Sequence, residues 1–405
     1  MATRRGDTLI FSDPPVIASH AAVGGKKEGE GPLAAGFDEL RADNSFGQSE
    51  WEAAEAELQL RAARLCLKKA QITEKEVSLV LAGDLQAQCT ASNYALRALG
   101  IPARVYPGVS SIQLLSAALG RPWQDWRLVS AHGCACDPVA ECMMNRSVYF
   151  LTGGTETPAS LCQKLTDAGM GEAHGVVGEN LGTEAEAIRY GSAAELAGQS
   201  FAPLSVLLVE NFDLPQLRAP GFPDESFIRS EVPMTKQEVR AAALAKLAVM
   251  PTDTLWDVGA GTGSVSVELA LAAPKGRVYA VECEPDACEL IRKNRAKFHA
   301  CNLILIEGRA PDVLADLPAP DAVFIGGTKG GMEAVLDEVL GKNPNARICI
   351  SAIALETLGA AIAALTARGL TAEVTQIAVS RTKPAGRLHL LMANNPIFLI
   401  TGTRK

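Results

Sequence analysis

No stretch of the chain approaches the roughly 20 apolar residues that a membrane-spanning helix needs, so no transmembrane segment is expected. Met1 to Asp13 holds two arginines but lacks the long apolar run of a secretory signal. Basic tracts are also missing. A net charge of −8 is spread along the whole length, which argues against a nucleic-acid footprint. An anionic partner would have to be met by a local cluster of Lys and Arg. The ten cysteines form no paired framework. Cys134 and Cys136 stand two apart with no second Cys/His pair nearby, so neither a zinc site nor any other metal site is expected. The thiols read as reduced, ordinary small residues of a cytoplasmic protein. Internal repeats and low-complexity tracts are absent too.

What is present is enough sequence for two or three domains: 405 residues, 48% hydrophobic and 21% charged. Asp213 to Ser230 carries three prolines and little periodicity, and residues 214–230 read as a linker. A softer break lies near Pro102 to Pro107. The divisions are therefore 1–100, 101–213, the linker, and 231–405.

After the linker, helix and strand alternate. Thr235 to Glu238 has the spacing of a capping box that opens a helix to about Met250. Strands are expected at Thr254 to Val258, Arg277 to Glu282, Leu303 to Glu307, Asp321 to Ile325 and Ala346 to Ala352. Helices are expected at Ser264 to Ala272, Pro285 to Phe298, near Pro311 to Leu317, Met332 to Leu340 and Glu356 to Arg368. Two last strands, Glu373 to Ser380 and Leu388 to Ile400, would form a hairpin. Such alternation implies an α/β fold with a doubly wound, mostly parallel sheet.

In these sheets ligands sit beyond the carboxyl ends of the strands. Gly259-Ala260-Gly261-Thr262-Gly263 follows the first strand, where backbone has to approach a ligand without a Cβ in the way. A dinucleotide fingerprint would want glycine at 264, which is Ser264. A Gly-x-Gly-x-Gly loop with Glu282 ending the second strand suits S-adenosylmethionine instead, the acid accepting both ribose hydroxyls.

Val-Pro-Met-Thr-Lys (232–236), Asp-Val-Gly-Ala-Gly-Thr-Gly (257–263), Ile-Glu-Gly-Arg-Ala (306–310) and Phe-Ile-Gly-Gly (324–327) resemble the decarboxylating precorrin-6B C15-methyltransferases of cobalamin biosynthesis. The resemblance covers nearly all of 232–405 and implies a class I methyltransferase using S-adenosylmethionine. It implies that Thr235, Gly259, Ala260, Gly261, Thr262, Gly263, Glu282 and Ala310 contact that cofactor. Phe-Ile-Gly-Gly replaces the Asn/Asp-Pro-Pro-aromatic motif of an adenine methyltransferase, and Asn395-Pro396 reads as a bulge or strand start. The substrate it implies, a tetrapyrrole, carries its own nucleophilic carbon and an acetate that can lose carbon dioxide into the conjugated ring. The protein's part is then mostly alignment, and no catalytic residue is named. Gly326 and Gly327 would border the substrate, and Lys329, Arg381, Lys383 and Arg387 would face its carboxylates or else form an ordinary solvated face. His389 reads as a sheet residue. A homo-oligomer is expected.

Pro107-Gly108-Val109-Ser110-Ser111, Leu151 to Thr155, Glu179-Asn180-Leu181 and Leu204 to Asn211 resemble the second half of a tetrapyrrole methylase. The relevant relatives are the precorrin C5-methyltransferases, which are often fused ahead of the C15 enzyme. A second donor site would use Pro107, Gly108, Val109, Ser110, Thr152, Gly153 and Gly154. The pattern departs at Gly83-Asp84-Leu85, where a proline belongs, and at the start, which lacks a Gly-x-Gly-Pro-Gly loop.

Residues 7–100 resemble the start of stage V sporulation protein AD, a thiolase-like fold, through Pro14-Pro15-Val16-Ile17, Lys27 to Leu33, Phe46-Gly47, Ser49 to Glu52 and Leu81 to Leu85. Trp51 to Ala70 forms an amphipathic helix with Ala54, Leu58, Ala62, Leu65 and Leu67 on one side. The thiolase-like nucleophile region would lie beyond this segment. Two half-domains in sequence mean either a recombined reading frame or an unusual packing of two α/β halves. The leading expectation is a corrin-ring methyltransferase. Its rivals are a sporulation-associated binding protein with a passenger methyltransferase fold, and a methyltransferase of another substrate such as a tRNA base.

Overall fold

The computed structural model describes residues 2–5, 8–11, 16–31, 33–48, 51–77, 97–100, 109–211 and 213–404. The chain forms two compact units, Met1–Val109 and Ser110–Lys405. In the first, Ala2–Arg5 pairs antiparallel with Thr8–Phe11, and Val23–Gly24 pairs parallel with Glu39–Leu40. The expected helix runs from Trp51 to Ala70. Among its described residues Ala54 and Leu60 are buried, while Leu58, Ala62, Leu65 and Leu67 of the expected stripe are partly exposed. Arg61 ties it down by pairing with Glu57 and Glu39, each at 2.7 Å. Gly83 to Leu85 lie outside the described residues.

The second unit holds three sheets, one of five strands, one of seven and a two-stranded hairpin. The first lobe contains α1 (Ser111–Leu119), β1 (Arg127–Ser130), α2 (Pro138–Met144), β2 (Ser147–Leu151), α3 (Pro158–Asp167), β3 (His174–Glu179), β4 (Ala187–Ser192), α4 (Ala193–Ala197) and β5 (Ser205–Glu210). Its strand order is β1-β2-β5-β3-β4. β1 and β2 are parallel and the other pairings antiparallel. α3 starts where Thr157 accepts from the Ser160 amide and Pro158 fills a position that needs no N–H donor.

The C-terminal lobe contains α5 (Gln237–Leu247), β6 (Thr254–Val258), α6 (Ser264–Ala272), β7 (Arg277–Glu282), α7 (Pro285–Lys297), β8 (Leu303–Glu307) and β9 (Ala322–Ile325). It continues with α8 (Met332–Lys342), β10 (Arg347–Ala352), α9 (Leu355–Ala367), β11 (Thr371–Ile377), β12 (Ser380–Ala385), β13 (Leu388–Ala393) and β14 (Ile397–Thr403). The sheet order is β8-β7-β6-β9-β10-β14-β11, parallel except for β14. All four residues of β9 are buried, as a central strand covered on both faces requires. The two lobes meet within the unit through an Arg277–Asp137 pair at 2.7 Å and a hydrogen bond from Arg295 to the Ala168 carbonyl at 2.8 Å.

Four local expectations are corrected. Thr235 does not cap α5: Lys236 is the N-cap residue, and the Glu238 carboxylate goes to Arg381 instead. Residues 311–317 form turns rather than a helix, with Leu314 and Leu317 buried. The last strand pair is four strands: β11 pairs with β14, while among the described residues β12 and β13 pair only with each other. The prolines of 214–230 do not make a free spacer either. Phe222 and Phe227 are buried against Phe298, with ring centroids 5.2 and 4.7 Å away.

Candidate functional site

The turn after β6 is built from three glycines with φ of 74°, 57° and 74° at Gly259, Gly261 and Gly263. That left-handed conformation suits glycine. It delivers the chain into α6, whose residues 264–271 are all buried. Glu282, at the end of β7, points back at this turn. One carboxylate oxygen accepts from the Gly261 amide at 2.8 Å, and the other accepts from the amides of Cys283 and Glu284 at 2.7 and 2.9 Å. The acid is thereby fixed in one orientation with lone pairs to spare.

Turn and acid form one wall of a cavity of about 910 Å³ at the carboxyl ends of the strands. Thr235, Gly259, Ala260, Gly261, Thr262, Glu282 and Ala310 all line it. Gly263 does not: it sits beneath the turn against Ile291. Gly326, Gly327 and Lys329 line it as well.

Two buried polar atoms in the wall have no partner, Asp257 Oδ1 and Thr262 Oγ1. Unpaired polar atoms beneath a cavity are a cost that a polar ligand removes. The other Asp257 oxygen accepts from the Ser266 hydroxyl. Burial pushes the Asp257 carboxyl up to about 7, with Ser266 opposing the rise and Glu282 adding to it. Asp257 was not singled out in the sequence, because an acid inside an apolar strand reads as a strand residue.

Four cationic residues expected near substrate separate here. Lys329 pairs with Glu284 at the rim and lies 3.7 Å from the Cys283 sulfur. Arg381 is taken up by Glu238, at 2.7 and 3.1 Å, and by Asp224 at 3.0 Å. Lys383 and Arg387 belong to the exposed β12–β13 hairpin and do not line the cavity. Arg309, which reasoning from sequence passed over, does line it. His389 is an exposed residue of β13 opposite Pro384.

In the first lobe, Pro107 and Gly108 lie outside the described residues. Val109 is exposed and Ser110 is the N-cap of α1. The Thr152 hydroxyl donates to the Ser205 carbonyl at 2.6 Å, and the His132 ring fills the space above Gly153. Among the described residues no group of His, Cys, Asp or Glu is placed to hold a metal ion, and no helix is long and apolar enough to cross a membrane.

A seven-stranded sheet with one antiparallel strand, a glycine turn after the first strand and an acid ending the second together define a class I methyltransferase. Comparison with known proteins narrows the class. Residues 226–404 match the precorrin methyltransferase domain family, and residues 5–125 match the stage V sporulation protein AD family. A cobalt-precorrin-6B C(15)-methyltransferase (decarboxylating) of Pyrobaculum calidifontis is 46% identical over 187 residues, 45% of this chain and 95% of that protein. The Sulfolobus acidocaldarius protein of the same name is 42% identical over 47% of this chain and its own full length. A precorrin-6Y C(5,15)-methyltransferase from a Sinorhizobium species is 35% identical over 58% of each chain. The crystal structure of precorrin-6y C5,15-methyltransferase from Geobacter metallireducens aligns with 47% of this chain and all of its own, at 38% identity and a TM-score of 0.45. The chain belongs to the decarboxylating cobalt-precorrin-6B C(15)-methyltransferase family.

Proposed function

We propose that the C-terminal lobe methylates C15 of a (cobalt-)precorrin-6B-type tetrapyrrole and decarboxylates it, as a step of corrin-ring biosynthesis. The observation that carries this reading is the cavity wall in which Glu282, the glycine turn and the unpaired Asp257 and Thr262 oxygens converge. S-adenosylmethionine, when bound, supplies an electrophilic methyl group. Glu282 is suited to its ribose hydroxyls, Asp257 and Thr262 to its amino-acid end, and Thr235 and Ala310 to closing around it. The chain's own residues then exclude water and align donor with acceptor, since the macrocycle carries the nucleophilic carbon.

Glu282→Ala is expected to weaken donor binding by about 1.5–3 kcal/mol, the worth of hydrogen bonds to a charged acceptor. Equal calorimetric affinities for the two proteins would remove the donor-site assignment. Mass spectrometry of the product is expected to show one added methyl with loss of carbon dioxide. Thr152 and Gly153 are engaged by Ser205 and His132 of their own lobe, which argues against a second donor contact at these two residues. Two added methyls would mean that C5 methylation survives.

Donor binding should also depend on pH through Asp257. Its value of about 7 lies above the ordinary 3.8, so the native fold favours the protonated form. That contribution to stability is present at low pH and is lost as pH rises through about 7. A donor ammonium prefers the ionised form. Affinity is therefore expected to rise as pH climbs through that midpoint and to fall about tenfold per unit below it. Calorimetry across this range checks it, and an unchanged slope in Asp257→Asn would rule out Asp257 as the titrating group.

A homo-oligomer is part of the same reading. Among the described residues strands β12 and β13 pair only with each other, and Leu388, Leu390, Leu391 and Met392 are 67, 48, 73 and 50% exposed. So much apolar surface on a free hairpin favours a partner copy. Light scattering should return a multiple of the chain mass, reduced in Leu391→Glu; a monomeric wild type would end this reading.

A further inference from the structure

Two of the sequence motifs that line the cavity each carry a cation that the donor assignment leaves without a role. Lys236 ends Val-Pro-Met-Thr-Lys, and Arg309 stands in Ile-Glu-Gly-Arg-Ala. Both residues line the cavity and both are exposed. Among the described residues neither forms an ion pair. Other basic residues nearby are already committed. Lys329, which also lines the cavity, pairs with Glu284, and Arg381 pairs with Glu238 and Asp224. On a chain of net charge −8, an anionic ligand needs a local exception of this kind.

The backbones of the two cations are held while their charged ends stay free. Lys236 is the N-cap residue of α5, and its carbonyl accepts from the Arg240 amide at 2.9 Å. The carbonyl of Thr235, just before it, accepts from the Arg240 guanidinium. Arg309 follows Gly308, whose amide donates to the Glu282 carbonyl at 2.8 Å, and it precedes buried Ala310. One guanidinium nitrogen donates to the Lys329 carbonyl at 3.2 Å, which leaves further N–H donors for a ligand. Each cation is thus the chain neighbour of a residue assigned to closing around the donor, Thr235 in one case and Ala310 in the other. The elements that carry them differ. Arg309 follows β8 at the sheet edge, whereas α5 packs against β9, β10 and β14, on the other side of β6 in the strand order.

We propose that Lys236 and Arg309 bind two peripheral carboxylates of the acceptor tetrapyrrole and so set the ring against the donor. The inference rests on the methyltransferase reading given above. A flat macrocycle with carboxylates around its rim presents anions in several directions, and two cations on separate elements can meet two of them together. One such contact leaves the ring free to turn about it. Two restrict that rotation, and with it the choice of ring carbon that faces the methyl group. The arginine fork can take a carboxylate through two N–H bonds, while the flexible lysine stem adapts to a second.

The test uses the full chain, S-adenosylmethionine and a precorrin-6B-type tetrapyrrole, with methyl transfer followed in the steady state. Lys236→Gln and Arg309→Gln change exposed side chains, and calorimetric affinity for S-adenosylmethionine is expected to be unchanged in both. The acceptor KM is expected to rise about fivefold in each, the scale of a solvent-accessible ion pair, with a smaller fall in kcat. The charge-keeping variants Lys236→Arg and Arg309→Lys should recover part of the rise. Added salt should raise the acceptor KM of the wild type more steeply than that of the double Gln variant. An unchanged acceptor KM in either Gln variant would overturn the two-point contact. Weakened S-adenosylmethionine binding would overturn it as well, by giving the cation to the donor. Failure of the wild type to methylate the tetrapyrrole is a separate result, and it would remove the functional reading together with this one.

Discussion

Arg240→Met is expected to destabilise the C-terminal lobe by about 3–5 kcal/mol, the range for removing one partner of a buried ion pair. Arg240 is fully buried. Its guanidinium donates to Glu268 at 2.8 Å and Asp224 at 2.9 Å, and to the carbonyls of Phe222 and Thr235, while it lies 4.6 Å from the Phe227 ring centroid. Glu268 in turn accepts from the amides of Gly221 and Phe222 at 2.6 and 3.1 Å. Without the cation, two carboxylates remain inside the protein with too few donors. Burial alone would raise the Asp224 carboxyl, but Arg240 and then Arg381 hold it below its ordinary value. The variant should therefore lose stability around neutral pH, where Asp224 keeps its charge without Arg240 beside it. Because Arg240 also holds the Thr235 carbonyl at the cavity lip, donor affinity should fall with it. Chemical denaturation followed at Trp256, which is buried in β6, reads the lobe directly. A loss below about 1 kcal/mol would mean that water or the neighbouring amides already satisfy the acids. Arg240→Met combined with Glu268→Leu should recover part of the loss, since one orphaned charge is removed.

This network also shows what a sequence pattern cannot carry. The parallel strands were legible because each is a short apolar run bounded by turn residues, and β6, β7 and β8 begin and end where expected. The pairing of glycine turn and acid in one cavity wall was legible for the same local reason, since the two are separated by one helix and one strand. Arg381 was not. Its partner Glu238 lies 143 residues away, and no local pattern distinguishes a committed arginine from a free one. The helix expected at 311–317 failed because Leu314 and Leu317 are buried from within turns, so their apolar spacing did not require helical backbone. The C-terminal hairpin was misread for a related reason. Leucines at 388, 390 and 391 look like a core strand, yet they stand exposed on β13. Asn394-Asn395-Pro396 interrupts the run, and β14 starts directly after the proline, in keeping with one of the two roles read for it. Phe222 and Phe227 were hidden within a proline-rich stretch whose composition suggested a spacer.

Gly259→Ala is expected to cost the lobe about 3 kcal/mol or more and to abolish measurable donor binding, a larger effect than the same change at Gly261. Both residues are left-handed, which alone costs an alanine roughly 1–2 kcal/mol. Their surroundings differ. A Cβ on Gly259 would lie 2.3 Å from the Gly327 carbonyl oxygen and 2.9 Å from its amide nitrogen, backbone atoms of the loop after β9 that cannot turn aside as a side chain can. A Cβ on Gly261 would meet the Pro233 carbonyl at 3.3 Å, a contact that a few tenths of an ångström relieves, and Val232 Cγ1 at an ordinary 4.0 Å. The first glycine of the turn therefore admits the neighbouring glycine loop, Gly326-Gly327, and only the exposed face of the turn is left for ligand. That accounts for the pairing of two glycine-rich segments, 259–263 and 326–327, which the sequence presents as separate features. Pushing Gly327 outward would shift the cavity wall that it shares with Gly326 and Lys329. Calorimetry with S-adenosylmethionine and thermal unfolding of the two alanine variants, side by side, decide the matter. Equal losses at both positions would mean that left-handed strain, rather than contact with the Gly327 backbone, governs the turn.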